Sequence, residues 1–368
     1  MAPHTPDRDR RTPRDAAGGP AGTRDSAASP SADTLGAAAG GPLTPEPEAI
    51  SDTAGRRAGV KRPGDRVFEF LSTSAATLIT VIIAAIGLFL ILRAIPALAR
   101  NEGGFWGFLT YTGTWQTQDT TAMQFGIPNL FAVTVLISLV ALVIAMPIAL
   151  GVAIFLSNYA PKRMVKPLGY LVDMLAAVPS IVYGLWGWQT LGPFLGDFYA
   201  WLNSWAGDFF LFEVYPNSPG FGTGRNIMTG GVVLAVMILP VIAATAREVF
   251  VQTPRGQIEA AQALGATKWE VVRMTVLPFG MSGYISGAML GLGRALGETM
   301  ALYMVVSPSA HFRFSLFDGG TTFATAIANA AAEFNNDISA GAYIAAGLVL
   351  FVLTFAVNSI ARSIVKSK

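Results

Sequence analysis

Long apolar stretches alternate with polar segments along most of the chain. A membrane helix needs about 20 mainly apolar residues to cross a hydrocarbon core of about 30 Å. Six stretches meet this requirement, and they lie near residues 74–98, 128–157, 168–192, 228–250, 280–306 and 341–361. We expect kinks at Pro147, Pro179 and Pro240, because proline lacks the N–H that a helix interior uses. The pattern predicts an all-α membrane protein with six transmembrane helices.

The first 66 residues have a different composition from the rest of the chain. They are rich in Pro, Gly, Ala, Ser, Asp and Arg and have no aromatic residue and almost no apolar β-branched residues. Such a segment cannot bury enough apolar area to offset the entropy lost on ordering. We therefore predict a disordered cytoplasmic tail over residues 1–66 and a six-helix permease domain over residues 67–368.

Lys and Arg are distributed unevenly among the loops. They cluster before the first apolar stretch, between the second and third, between the fourth and fifth, and after the sixth, whereas the alternate loops are mainly acidic. Basic loops stay on the cytoplasmic side of a membrane. This distribution predicts that both termini are cytoplasmic and places the polar loop of residues 251–279 on the same side.

Composition excludes several classes of function. The chain is 52% apolar and 13% charged, which is too apolar for a soluble domain. It has no cysteine and only two histidines, His4 and His311, so disulfides, thiolate chemistry and a histidine-built metal site are not expected. We predict no metal and no cofactor bound by this chain.

The outer loops are rich in residues that favour the membrane interface. Residues 193–227 contain many Trp, Phe and Tyr, and residues 317–334 form a mildly amphipathic stretch. We expect interfacial anchoring there, with a short helix in the second segment. The alternative is a surface for an external substrate-delivery protein.

The loop of residues 251–279 has a helical pattern with one interruption. Helix formers around Glu259 precede Gly265, which ends a helix readily because it accepts positive φ. Helical spacing then resumes, with Trp269, Val272 and Val276 on one side. The pattern predicts a short helix, a turn and a second helix that leads into the fifth span.

The same loop carries a recognisable motif. Its order is E-A-A, three residues, Gly, and later Leu-Pro, and the residues in register are Glu259, Ala260, Ala261, Gly265, Leu277 and Pro278. It resembles the loop by which permease subunits of ABC importers dock onto an ATPase, although Thr275 replaces the usual Ile. The chain has no G-x-x-x-x-G-K-[ST] motif, so we expect ATP and Mg²⁺ on a separate ATPase subunit and no enzymatic activity here. The alternative is an amphipathic loop that lies on acidic lipid.

Two charges lie inside the fifth apolar stretch. Arg294 and Glu298 each cost about 2.5–3.5 kcal/mol near mid-membrane, which favours a functional role. As positions i and i+4 of one helix they would share a face close to a stripe of small residues, Gly283, Gly287 and Gly291. We predict that they face protein or a water-filled substrate path, where the guanidinium suits an oxyanion such as phosphate. The alternative is an ion pair that only fixes helix packing.

Two further segments carry a more specific resemblance. Residues 178–187, VPSIVYGLWG, and residues 293–300, GRALGETM, resemble permeases of the bacterial phosphate ABC importer, and they are closer to the PstC type than to the PstA type. The resemblance implies a type I (MetI-like) importer fold in the bacterial inner membrane, with Arg294 and Glu298 in the substrate path. It also implies a PstA-type permease, a dimer of PstB-type ATPase subunits and a PstS-type phosphate-binding protein as partners, besides membrane lipid and without nucleic acid.

Two other functions stay open at this point. One is a permease for another oxyanion, such as sulfate or molybdate. The other is an ion channel or proton-coupled carrier in which Arg294 and Glu298 form a gating or proton-relay pair. This second alternative gives the loop of residues 251–279 no function.

Overall fold

A computed structural model describes residues 63–366, except residues 120, 216, 217, 219, 310–312 and 335. The predicted disordered tail therefore lies almost entirely outside the described residues, as do both histidines. The described residues form helices and loops, with two isolated β-bridges and no strand. The prediction of an all-α protein is confirmed.

Thirteen α-helices account for most of the described chain. Their bounds are α1 Pro63–Arg100, α2 Gly104–Thr110, α3 Pro128–Ile154, α4 Lys162–Ala176, α5 Ser180–Trp186, α6 Gly192–Ala206, α7 Ile227–Val251, α8 Arg255–Ala263, α9 Lys268–Val271, α10 Leu277–Leu296, α11 Met300–Val305, α12 Phe323–Ala330 and α13 Asp337–Lys366. Short π-helical turns follow α3, join α5 to α6 and join α9 to α10.

Five of the six predicted spans have a long apolar helix in the structure. These helices cover Gly64–Arg100, Pro128–Tyr159, Ile227–Val251, Lys268–Leu296 and Asp337–Ser363. The sixth candidate is a pair of helices, Lys162–Ala176 and Ser180–Ala206, bent by 87°. The described chain can thus cross a membrane five times, or six times if the bent pair makes one crossing.

The predicted third span, residues 168–192, is wrong as a single helix. The chain leaves the helix after Ala176 and starts a new one at Ser180. Pro179 explains the position of the break, since its ring disfavours helical geometry in the preceding residue and it has no N–H to donate. The expected kink at this proline is confirmed in a stronger form.

The predicted fifth span, residues 280–306, is also interrupted. Helix α10 ends at Leu296, and α11 begins at Met300 after a break of three residues. Gly297 lies in this break, and glycine is a poor helix residue because it loses the most backbone freedom on ordering. Glu298 therefore does not belong to the helix that carries Arg294.

Helix α7 forms the centre of the main hydrophobic cluster. Two thirds (67%) of its most apolar segment is buried, compared with 39% for the span containing α3 and 0% for α1. Helix α10 approaches α7 through the glycine stripe, where a Cβ atom on Gly291 would lie 3.0 Å from Cγ1 of Ile242 and one on Gly287 3.0 Å from Cβ of Thr245. The predicted close packing of this stripe against another helix is confirmed.

A second hydrophobic cluster joins α1, α12 and α13 with the start of α3. Phe323, Ala324 and Ala326 of α12 are buried, and the Phe323 amide donates to the Thr134 hydroxyl of α3 at 3.2 Å. The predicted short helix is present. Its apolar face packs against protein, and its expected place at the membrane interface stays a prediction.

Helix α5 packs closely against α11 at Gly184. A Cβ atom there would lie 2.8 Å from the Cα atom of Ala301 and 3.1 Å from its carbonyl oxygen. Backbone atoms cannot move aside as the end of a flexible side chain can. A larger residue at this position must therefore separate the two helices.

We predict that Gly184→Ala destabilises the protein by about 1–3 kcal/mol, the usual cost of overpacking. Gly151→Ala in α3 is the matched control, because a Cβ atom there meets nothing within 4 Å. Thermal unfolding of the detergent-purified protein should show a lower midpoint for the first variant alone. Equal midpoints for the two variants would contradict the close packing of α5 and α11.

Candidate functional site

The two helix breaks belong to neighbouring elements. The break at residues 177–179 precedes α5, the break at residues 297–299 precedes α11, and α5 packs against α11. Gly184 of α5 lies against Ala301 of α11. The structure thus brings segment 178–187 against the helix that begins at the end of segment 293–300.

Glu298 lies in the second break and is buried, with 9% of its surface exposed. Its Oε1 atom accepts a hydrogen bond at 3.1 Å from the amide of Ala301, in the first turn of α11. The amide of Glu298 in turn donates to the Ala295 carbonyl at 3.3 Å, the last turn of α10. The residue therefore connects the end of one helix to the start of the next.

Arg294 lies in the last turn of α10, and its side chain is exposed on this chain. The prediction that Arg294 and Glu298 share one helical face is wrong, because α10 ends between them. Within the residues that the structure describes, the two side chains form no ion pair at 4.0 Å or less. Glu298 therefore does not hold the Arg294 side chain at ion-pair distance.

The coupling loop, residues 251–279, has the predicted form. Helix α8 contains the E-A-A segment, and Gly265 then takes the left-handed conformation with φ of 84°. Thr267 starts α9 with a capping box, in which its hydroxyl accepts from the Glu270 amide and its own amide donates to the Glu270 carboxylate at 2.7 Å. The turn between α8 and α9 is therefore fixed by the left-handed glycine on one side and by the capping box on the other.

The coupling loop presents much of its motif at the surface. Glu259, Ala260, Gly265 and Pro278 are exposed, Leu277 is half-buried, and Ala261 is buried. Leu264 has 88% of its surface exposed, which is unusual for a leucine and leaves an apolar tip on the loop.

The second half of the coupling loop is packed against the protein and continues directly into α10. Val272 and Val276 are buried at 2% and 0% exposure, and Leu277 begins α10 directly after the π-helical turn. Trp269, which the helical spacing places on the same side as these valines, is 54% exposed. The π-helical turn at Val272–Val276 changes the residue spacing on which that placement depends.

The sequence did not identify Tyr183 or Gly184 as parts of the site. Two signals were available in the sequence: Gly184, which permits the close approach of α11, and Pro179, which ends α4. Among the described residues no group of three or more His, Cys, Asp or Glu side chains could hold a metal ion. The site is therefore built from one guanidinium, one carboxylate, a phenol and the ends of helices.

A family model described as binding-protein-dependent transport system inner membrane component matches residues 145–368. This region contains both helix breaks, the coupling loop and α10. The chain belongs to this family. It is therefore an inner membrane component of a transport system and a multi-pass permease subunit, and the family works with ATPase and substrate-binding partners.

Named relatives match most of the chain. This chain is 50% identical over 309 residues to the "Phosphate transport system permease protein PstC 2" of Mycobacterium tuberculosis, covering 83% of this chain and 93% of the relative. It is 48% identical over 323 residues to the "Phosphate transport system permease protein PstC" of Mycobacterium leprae, covering 88% and 98%. A solved bacterial ABC transporter involved in the import of alginate superposes with a TM-score of 0.49 at 17% identity, over 81% of this chain and 99% of that one. The family assignment rests on the sequence matches.

The contacts of Glu298 predict a difference between two substitutions. Glu298→Ala removes the acceptor for the Ala301 amide and should cost about 0.5–2 kcal/mol, as for the loss of a helix cap. Glu298→Gln keeps an acceptor oxygen and should unfold within a few degrees of the unmodified protein. Thermal unfolding in detergent measures both, and an alanine variant as stable as the unmodified protein would contradict the capping role.

Proposed function

We propose that this chain is the permease subunit of an ATP-driven phosphate importer and forms half of the translocation path. The observation that carries the proposal is the identity of 50% over 93% of a relative named as a phosphate transport system permease. The match extends over 309 residues, or 83% of this chain. The exposed guanidinium of Arg294 at the end of α10 supports an oxyanion as the substrate.

Arg294 binds the passing phosphate through paired hydrogen bonds in this proposal. Its side chain is not neutralised by Glu298, so its charge is available to an anion. Glu298 holds the start of α11 and keeps its carboxylate close to the path, where it tempers the affinity so that phosphate can leave. A second permease of the PstA type covers the exposed side of Arg294 and supplies the other half of the path.

The coupling loop is the contact with the ATPase. Its exposed residues Glu259, Ala260 and Leu264 enter a groove on that partner, in the way that a short amphipathic helix binds a hydrophobic groove. ATP and Mg²⁺ belong to a separate pair of PstB-type subunits, because this sequence has no phosphate-cradling loop. The distribution of Lys and Arg supports cytoplasmic termini and a cytoplasmic coupling loop, and a PstS-type binding protein delivers phosphate to the opposite side.

We predict that Arg294→Ala abolishes phosphate uptake by the assembled complex in proteoliposomes. The side chain is exposed and not part of the packed core, so assembly and membrane insertion should be retained. Uptake of labelled phosphate, with sulfate and molybdate as competitors, measures both the role and the substrate. Uptake near the normal rate would leave Arg294 a structural role only, and preferential uptake of sulfate would favour the other oxyanion importers.

Changes in the coupling loop should remove the ATPase. Gly265→Ala forces a residue with a Cβ atom into φ of 84°, at a cost of about 1–2 kcal/mol, and Glu259→Ala removes an exposed charge of the motif. We expect roughly tenfold weaker co-purification of the ATPase subunit with the tagged permease for the glycine variant. Gly256→Ala in α8 is the control, because a Cβ atom there meets nothing within 4 Å and its φ is not positive.

The same measurement separates an importer from a carrier. A proton-coupled carrier or channel would continue to move its substrate after the ATPase is lost. Uptake that persists in Gly265→Ala without co-purified ATPase would therefore contradict the proposal.

A further inference from the structure

Two adjoining cavities lie near the start of α7, whereas the coupling loop follows the other end of this helix. Their volumes are about 210 and 160 Å³, and both are lined by Gly320, Thr321 and Asn329. They are bounded by the segments that precede α7 and α12 and by the end of α11. These segments belong to the loops that the Lys and Arg distribution predicts to be extracytoplasmic.

Arg225 lines the smaller cavity and is the charged residue among its lining side chains. Its guanidinium lies over the ring of Trp188, 5.6 Å from the ring centroid. Its Nε atom is buried and has no hydrogen-bond partner within the part of the chain that the structure describes. Nε itself is closed off from the cavity, but a guanidinium that lines a cavity wall without a carboxylate partner among the described residues favours an anionic ligand there.

Neutral donors complete the wall around Arg225. The hydroxyl of Tyr303 donates to Oδ1 of Asn329 at 3.3 Å, which leaves the amide nitrogen of Asn329 as a donor. Thr321, which carries a hydroxyl donor, lines both cavities. One guanidinium, the Asn329 amide and the Thr321 hydroxyl match the acceptor oxygens of an oxyanion, and Tyr303 orients Asn329.

Among the residues that the structure describes, no acidic side chain lines either cavity. Asp318 lies two residues before Gly320, which lines both cavities, but its carboxylate has other partners. Its Oδ1 accepts hydrogen bonds from the Ser218 hydroxyl at 2.7 Å and from the Gly319 amide at 2.8 Å. A cation would therefore meet only repulsion from Arg225. An uncharged ligand would leave the guanidinium without a counter-charge.

The size of the smaller cavity also suits a tetrahedral oxyanion. A volume of about 160 Å³ leaves room for an ion with the five non-hydrogen atoms of phosphate. Helix α11 leads from the cavity at Tyr303 and Val306 to the break at Glu298, about 10 Å away by helical rise. The cavity thus lies one short helix from Arg294.

We propose that Arg225, Tyr303, Thr321 and Asn329 form a receiving site for the oxyanion at the outer end of the translocation path. The site takes phosphate released by the binding protein and holds it before it passes to Arg294. The choice of phosphate rests on the proposed function, whereas the choice of an oxyanion rests on the chemistry of the cavity wall.

The direct test measures the reaction of Arg225 with phenylglyoxal, an arginine-specific reagent, in the assembled complex. Peptide mass spectrometry gives the modification rate of each arginine in chloride, inorganic phosphate or sulfate at equal ionic strength. We expect phosphate to slow modification of Arg225 several-fold and to leave that of Arg100, an exposed outer arginine, unchanged. Equal rates at Arg225 in all three salts would overturn the proposal.

Substitution gives an independent measurement. Arg225→Gln should lower phosphate uptake roughly tenfold, the usual effect of losing a hydrogen bond to a charged group, and Arg225→Lys should restore part of it. Arg100→Gln is the matched control for loss of one positive charge on the same side and should take up phosphate normally. Normal uptake by Arg225→Gln would overturn the receiving site whatever the reagent shows.

These outcomes separate the receiving site from the proposed function. If the unmodified complex imports phosphate but neither anion protects Arg225, the receiving site is wrong and the phosphate importer stands. If sulfate alone protects Arg225 and phosphate is not imported, the cavity is an oxyanion site and the proposed substrate is wrong.

Discussion

The contact between α10 and α7 through three glycines is the constraint on which the rest of the structure depends. Lipid tails are as apolar as the helix surfaces, so membrane helices gain little from hydrophobic burial and associate where small residues allow close packing. Gly287 and Gly291 provide such a surface against Thr245 and Ile242 of the buried helix α7. This contact fixes α10, and α10 in turn fixes the coupling loop at one end and Arg294 at the other.

The two helix breaks follow from a second constraint. Backbone groups freed at a break find no partner in hydrocarbon, so a break is tolerated only where protein supplies one. Glu298 supplies one with its carboxylate on the Ala301 amide, and Tyr183 supplies another with its hydroxyl on the Leu175 carbonyl at 2.7 Å. The residues around these breaks therefore have a structural task as well as any task in transport.

Much of the fold could be predicted from the sequence because the signals are local. Apolar runs of sufficient length located five spans, and the helix, glycine turn and capping residues of the coupling loop all act within a few positions. The break at Gly297 was missed, and the break at Pro179 was expected only as a kink. Hydropathy is averaged over a window much longer than three residues, so a break of that length does not interrupt a predicted span. The partnership of α5 with α11 and the cavity around Arg225 were not predictable, since both join segments that are distant in the sequence.

Helix α10 has 20 residues and is therefore about 30 Å long. Its glycine contacts with α7 lie between its two ends, so the helix has a pivot with an arm on each side. If the coupling loop tilted α10 by about 10° around that pivot, Arg294 would move by roughly 2 Å. A hydrogen bond to a guanidinium is lost over a smaller displacement than this. A rigid rotation of one helix would thus be sufficient to change the affinity for an anion, and no side chain would need to change its rotamer.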